Sequence, residues 1–220
     1  GMGSNILVRD KGIRGVVIKL GNKLKNIRIS DNNIYAETGI RLSELSKRAA
    51  AHSLSGLEFA EGIPGSLGGA VVMNAGAYGG EISKVVAEVE AINDSGLVKK
   101  FTPEQIQYGY RKSIFQNSDY IILAASFKLE YGEKEKIQAT MREFAHLRRE
   151  KQPLDLPSAG SIFRRPEGYY VGPMLEKMGL KGYNVGGAAV SGKHAGFIVN
   201  TGSATANDVI NLIKYIQQKA

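Results

Sequence analysis

Residues 62–81 read Gly62-Ile63-Pro64-Gly65-Ser66-Leu67-Gly68-Gly69-Ala70-Val71-Val72-Met73-Asn74-Ala75-Gly76-Ala77-Tyr78-Gly79-Gly80-Glu81, with seven glycines among small and apolar side chains. Glycine accepts positive φ and lets another surface approach the peptide groups closely. Successive exposed N–H groups in such turns form concave nests that suit phosphate oxygens. The run Ala70–Met73 is apolar and is expected to be buried, which pins the segment to a core. A flexible linker would carry Gly and Ser without such a run. The reading is a rigid phosphate cradle, set against the plainer alternative of tight turns between strands. The segment is not a G-x-x-x-x-G-K-[ST] loop, and the opening Gly1-Met2-Gly3-Ser4-Asn5 lacks the third glycine of G-x-G-x-x-G.

On the N-terminal side of the cradle, Ile6-Leu7-Val8 and Val16-Val17-Ile18 read as strands. So do the segments around Ile27, Ile29, Ile34 and Tyr35, turned by Asp31-Asn32-Asn33. Leu42, Leu45 and Ala49 keep helical spacing, and that helix is expected to cover one sheet face. On the C-terminal side, the alternation over 85–92 predicts a half-buried strand, and Asn93-Asp94-Ser95-Gly96 turns it into Leu97-Val98. Thr102-Pro103-Glu104-Gln105 is a capping box with proline at the first helical position. Residues 119–130 predict a strand, and residues 133–151 a long amphipathic helix carrying Ile137, Met141, Phe144 and Leu147. Pro153 and Pro157 mark a domain boundary, giving domains 1–152 and 153–220. Beyond it, Pro173–Met178 predicts a helix stopped by Gly179, and 196–200 a strand. Thr205 caps a last helix with Val209, Ile213 and Ile216 inward. The fold class is α+β, mostly antiparallel sheet with flanking helices.

Composition narrows the function. The 220 residues are 43% hydrophobic and 23% charged, enough apolar content for a sizeable core. No stretch of about 18 apolar residues is present, and no basic-then-apolar leader opens the chain. The absence of cysteine removes disulfides and thiolate metal sites. His52, His146 and His194 lie far apart, so no metal site is expected. A monomeric cytoplasmic protein without a membrane partner follows as the expectation. The net charge of +8 favours polyanionic partners. No aromatic-interleaved RNA motif accompanies it, so nucleotide-diphosphate ligands fit better than nucleic acid.

The glycine segment resembles the FAD-binding signature of the UDP-N-acetylenolpyruvoylglucosamine reductase (MurB) family. Three further stretches, in the same order, are similar to segments of that family. Gly1-Met2-Gly3-Ser4-Asn5 resembles its first phosphate loop. Tyr110-Arg111-Lys112-Ser113-Ile114-Phe115 resembles the segment with its catalytic arginine. Lys151-Gln152-Pro153 through Ser158-Ala159-Gly160-Ser161-Ile162-Phe163 resembles the one with its catalytic serine.

The resemblance implies an FAD-binding domain of the vanillyl-alcohol-oxidase/PCMH type, followed by a small α+β substrate-binding domain. It implies FAD as cofactor and NADPH as co-substrate, with reduction of the enolpyruvyl ether of a UDP-sugar to UDP-N-acetylmuramate. It assigns Arg111 to the substrate carboxylate and Ser161 to proton donation. FAD falls to Gly1, Gly3, Ser4, Asn5, Gly62, Pro64, Gly65, Ser66, Gly69, Tyr110, Ile121 and Arg148, and the substrate to Lys151 and Arg165. His194 is given no chemistry. The shorter family type is implied, without the substrate-covering tyrosine insertion. The resemblance also implies family segments before Gly1 and after Ala220. The latter holds a glutamate that no residue here matches, so the expectation is that this chain alone does not turn over. Two alternatives stay open: another FAD-linked oxidase or dehydrogenase, and a non-catalytic nucleotide-binding fragment.

Overall fold

Turn chemistry and alternation build the first sheet. In the computed structural model, which describes residues Gly1–Ala220, β1 (Ile27–Ser30) and β2 (Asn33–Glu37) form a hairpin. Its turn residue Asp31 takes the left-handed φ of 51°. The chain then forms α1 (Leu42–Ala51), β3 (Leu54–Ser55), α2 (Leu67–Val72), β4 (Gly76–Ala77) and β5 (Gly80–Glu81). A second hairpin follows, β6 (Val86–Ile92) and β7 (Val98–Phe101), then α3 (Pro103–Ile106), β8 (Ile121–Lys128), β9 (Glu130–Tyr131) and α4 (Lys134–Lys151). The five-stranded sheet has the order β1-β2-β8-β6-β7, antiparallel throughout. Leu42, Leu45 and Ala49 of α1 and Leu67, Ala70 and Val71 of α2 share one core with Ile34, Val89 and Phe127 of the sheet. The predicted capping box at Thr102 is present, with Pro103 at the first helical position.

A second, antiparallel sheet has the order β10-β13-β12-β11, formed by β10 (Ser158–Ser161), β11 (Asn184–Val185), β12 (Ala188–Val190) and β13 (Phe197–Asn200). Its core includes Leu175 of α5 (Val171–Lys177) and Leu212 and Ile216 of α6 (Ala206–Lys219). The inner face of α6 is thus centred on Leu212 and Ile216, with Val209 and Ile213 only half-buried flanks. The helix takes this rotation because Ala206, at its first position, is buried too. Thr205 caps α6 as expected: its hydroxyl accepts the Asp208 N–H, and the Asp208 carboxylate accepts the Thr205 N–H.

One expectation is corrected. Ile6–Val8 and Val16–Ile18 form no strand, since no strand of either sheet pairs with them, and Val16 stays 90% exposed. The apolar run after Gly69 ends α2, with Ala70 and Val71 buried as expected. Ser161 ends strand β10.

Packing divides the chain into two units, Gly1–Met2 with Ile18–His146 and Gly3–Val17 with Leu147–Ala220. This differs from the 152/153 boundary read from the prolines, and two bonds within the second unit give the reason. Asp10 accepts the N–H groups of Ala206 and Asn207 at 2.6 and 3.1 Å, tying the early segment to the first turn of α6. Lys193 Nζ donates to the Arg149 carbonyl at 2.6 Å, tying the last turn of α4 to the loop before β13. No helix is long and apolar enough to cross a membrane.

The Asp208 carboxyl is held below its ordinary value, chiefly by the Thr205 N–H and then by the Thr205 hydroxyl. The capping contribution is therefore complete above the ordinary Asp range and is lost as pH falls through the depressed value. Asp10→Ala removes the carboxylate on two orphan amides of α6 and is expected to lower stability by about 0.5–2 kcal/mol. A urea-unfolding midpoint equal to wild type would show that this tie contributes nothing.

Candidate active site

Two segments far apart in sequence are laced together at the end of α2. Arg111 donates from Nη1 to the Asn74 carbonyl at 3.2 Å and from Nη2 to the Gly76 carbonyl at 2.7 Å. Ser113, buried, donates its hydroxyl to the Val72 carbonyl at 2.7 Å. Gln116 Nε2 donates to the Arg111 carbonyl at 3.0 Å and lies 3.2 Å from Met73 Sδ. Asn74 Nδ2 donates to the Gly109 carbonyl at 3.1 Å, and Asn74 Oδ1 accepts the Ser83 N–H at 2.9 Å. The guanidinium also lies 5.1 Å from the centre of the Tyr110 ring, which is about half exposed. Two guanidinium N–H groups are spent on carbonyls, leaving an edge of charged donors that fits a carboxylate fork. Nearby Tyr108 is largely buried, and burial pushes its phenol up, so it stays neutral.

The glycine segment meets the chain's start. A Cβ on Gly1 would stand 3.4 Å from Ser66 Oγ, and one on Gly69 3.9 Å from it. The Gly1 amine donates to the Leu20 carbonyl at 2.8 Å. Ser66 precedes α2, yet its hydroxyl makes no capping bond. The Leu67 and Gly68 amides are used by the carbonyls of Ile40 and Thr38, and the Gly65 carbonyl accepts from Leu42. Ser66 is buried, Gly69 beside it is exposed, and Gly1 lies against the Ser66 hydroxyl. A serine hydroxyl and glycine N–H groups are donors of the kind that suits phosphate oxygens. Gly62, at φ 75°, and Pro64 are exposed. Ile121, the first residue of β8, is 49% exposed.

The remaining predicted residues lie in the second unit. Gly3 has φ 69° and begins a turn with half-buried Ser4 and exposed Asn5. Arg148 is 6% exposed in the last turns of α4, and Lys151 ends that helix exposed. Arg165 is exposed, 5.0 Å from the centre of the Tyr170 ring. Ser161 is exposed and pairs with Phe197 across β13, after an irregularity in the ladder where Gly160 takes φ 84°. Ile162 donates to the Gly196 carbonyl at 2.9 Å. A Cβ on Gly196 would stand 3.3 Å from Ser161 Oγ and 2.9 Å from His194 Cε1. Only glycine there leaves the serine hydroxyl and the imidazole side by side. His194 Nδ1 accepts the Gly196 N–H at 3.0 Å, which leaves Nε2 as the donor nitrogen of the neutral ring.

Two family models match the chain. Residues 1–102 match the model of an FAD binding domain. Residues 152–220 match that of the UDP-N-acetylenolpyruvoylglucosamine reductase C-terminal domain. The reductase of Syntrophomonas wolfei is 63% identical over 220 residues, covering 100% of this chain and 74% of that protein. That of Clostridium botulinum strain Eklund 17B is 52% identical over 219 residues, covering 100% and 72%. This chain belongs to the UDP-N-acetylenolpyruvoylglucosamine reductase family. A crystal structure of the Thermus caldophilus member matches with a TM-score of 0.88 at 37% identity, over 99% of this chain and 79% of that one. As a member of this reductase family, the chain is an FAD-dependent oxidoreductase of α+β fold.

Two residues near these sites carried no role in the sequence reading. Asn74 signals itself only as one amide inside an apolar and glycine run. His194 gave no signal, because it lies in the loop before β13 while Ser161 is on β10, far back in the sequence. Ser66→Ala is expected to weaken FAD binding about tenfold, the loss of one bond to a charged group. Its unfolding midpoint is expected to stay unchanged, since the hydroxyl caps no amide. Fluorescence titration of the apoprotein with FAD reads the first quantity, and unaltered affinity would remove Ser66 from the cradle.

Proposed function

We propose that this protein reduces the enolpyruvyl ether of UDP-N-acetylglucosamine to UDP-N-acetylmuramate, with NADPH as the source of electrons, in the formation of peptidoglycan precursors. The observation that carries the reading is Arg111, held by two carbonyls of the glycine segment with a charged donor edge left over. The substrate of this reaction bears a carboxylate conjugated to the double bond that is reduced. FAD, when bound, supplies the hydride that adds at C3 of the enolpyruvyl group.

The protein's own work is orientation, charge stabilisation and one proton. Ser66, Gly65, Gly69 and Gly1 hold the cofactor diphosphate, with Gly62 and Pro64 shaping the approach. Gly3, Ser4, Asn5 and Arg148 complete the set of residues assigned to the cofactor. Tyr110 and Ile121, both about half exposed, offer apolar surface to the ring system. Arg111 grips the substrate carboxylate with its free N–H edge. As charge builds on C2 and spreads into that carboxylate, the fixed guanidinium stabilises it without reorganising. Ser161 then gives its hydroxyl proton to C2. An alcohol is a weak acid, but a carbanion next to a carboxylate is basic enough to take its proton. Lys151 and Arg165, both exposed cations, suit the diphosphate of the UDP-sugar. The excess positive charge of the chain matches three anionic ligands better than it matches nucleic acid. The same reading has the protein working as a cytoplasmic monomer, and its functional division follows the proline connector, with FAD on 1–152 and the sugar nucleotide on 153–220.

In the holoenzyme, Ser161→Ala is expected to leave reduction of FAD by NADPH near normal. Reoxidation by the enolpyruvyl substrate is expected to slow roughly 10²–10⁴-fold, the range for a lost acid. Stopped-flow absorbance separates the two steps, and equal slowing of both would count against proton donation. Arg111→Lys keeps the charge but cannot span two carbonyls and a carboxylate fork, so it is not expected to restore reoxidation. Wild-type turnover by the lysine variant would overturn the carboxylate assignment.

A further inference from the structure

Asn74 stands apart from the residues considered so far because it is polar, 1% exposed, and bonded in three directions. Its Nδ2 donates to the Gly109 carbonyl at 3.1 Å, and its Oδ1 accepts the Ser83 N–H at 2.9 Å. Its own carbonyl accepts Arg111 Nη1 at 3.2 Å. Its backbone sits at φ 41°, in the left-handed region that asparagine tolerates better than most residues.

The turn that carries Arg111 is closed at its base. Gly109 N–H donates to the Lys112 carbonyl and Lys112 N–H to the Gly109 carbonyl, each at 3.1 Å. Gly109 is therefore the point from which the whole turn is hung. Within it Arg111 takes φ 53°, a left-handed conformation unfavourable for a non-glycine residue. Asn74 grips this turn at both ends: its side-chain amide holds the root at Gly109, and its main-chain carbonyl holds the guanidinium tip. Its remaining amide oxygen is anchored on Ser83, so the amide cannot flip without losing a second bond.

We propose that Asn74 is a positioning residue for Arg111, setting the orientation in which the guanidinium meets the substrate carboxylate. This rests on the reading of Arg111 as the carboxylate grip. A purely structural asparagine would lower stability without acting through Arg111, so the test is a double-mutant cycle in the holoenzyme. Asn74→Gly keeps the left-handed backbone and removes both side-chain bonds. It is expected to slow reoxidation of the reduced enzyme by the enolpyruvyl substrate about 10–100-fold, the effect of a small misplacement. If Asn74 works through Arg111, the Asn74→Gly/Arg111→Lys double variant is expected to be no slower than Arg111→Lys alone.

A second readout does not depend on turnover. The Arg111 side-chain N–H signals, assigned by their loss in Arg111→Lys, are expected to be distinct and exchange-protected in wild-type ¹⁵N–¹H spectra. They are expected to collapse in Asn74→Gly while amide signals of the second unit persist. Multiplicative slowing in the double variant, Asn74→Gly as fast as wild type, or unaltered Arg111 signals in Asn74→Gly would overturn the positioning role while the Arg111 reading stands. Full reoxidation in Arg111→Lys would overturn the reading beneath it. Should Asn74→Gly fail to fold, the wild-type spectrum still decides, because unprotected Arg111 signals contradict the proposal.

Discussion

The bonds from Arg111 to the Asn74 and Gly76 carbonyls hold the arginine turn against the glycine segment. Each is a hydrogen bond from a charged donor, the kind that contributes about 1.5–3 kcal/mol. They offset the left-handed backbone of both Asn74 and Arg111. Without them, a cation in a strained turn would have little reason to lie against a glycine-rich segment 35 residues away. With them, the guanidinium is oriented before any ligand arrives. Electrostatic stabilisation of developing charge requires that order, since reorganising a loose arginine during the reaction would consume the gain.

The cradle beside it follows a different physical logic. Glycine-rich segments are often credited with a full row of free amides, but here the fold has used part of the row. The Leu67 and Gly68 amides are paired with β2-side carbonyls, which fixes α2 against the sheet. The cost is fewer donors for a phosphate, and the return is rigidity. The segment's glycines act mainly by close packing: a Cβ on Gly68 would clash with Thr38, one on Gly76 with the Gly80 carbonyl, and one on Gly80 with the Phe59 ring.

Ser161 is placed by strand register instead. A positive φ at Gly160 accompanies the ladder irregularity that sets the serine opposite Phe197, and the missing side chain at Gly196 leaves its hydroxyl next to His194. The imidazole is itself fixed through Nδ1, so the polar neighbourhood of the serine is built from backbone geometry. Asp10 and Lys193 tie distant stretches into this unit by bonding to helix ends, where orphan amides and carbonyls are available.

Much of this protein was legible in its residues. Helical spacing at Leu42, Leu45 and Ala49, the Asn93–Gly96 turn, the Thr102 capping box and the Thr205 cap are local patterns. Each follows from neighbours within a few positions, and each formed where it was read. The motifs around Gly65, Arg111 and Ser161 pointed to the reductase family, to which the chain belongs. Only tertiary structure decided whether apolar runs would pair. Ile6–Val8 and Val16–Ile18 have strand composition, but a strand needs a partner edge, and neither sheet offers them one. Only tertiary structure, too, brought Asn74 to Gly109, 35 positions on, through a hydrogen bond to a main-chain carbonyl. Every residue carries such atoms, so no side-chain pattern in the sequence can announce them.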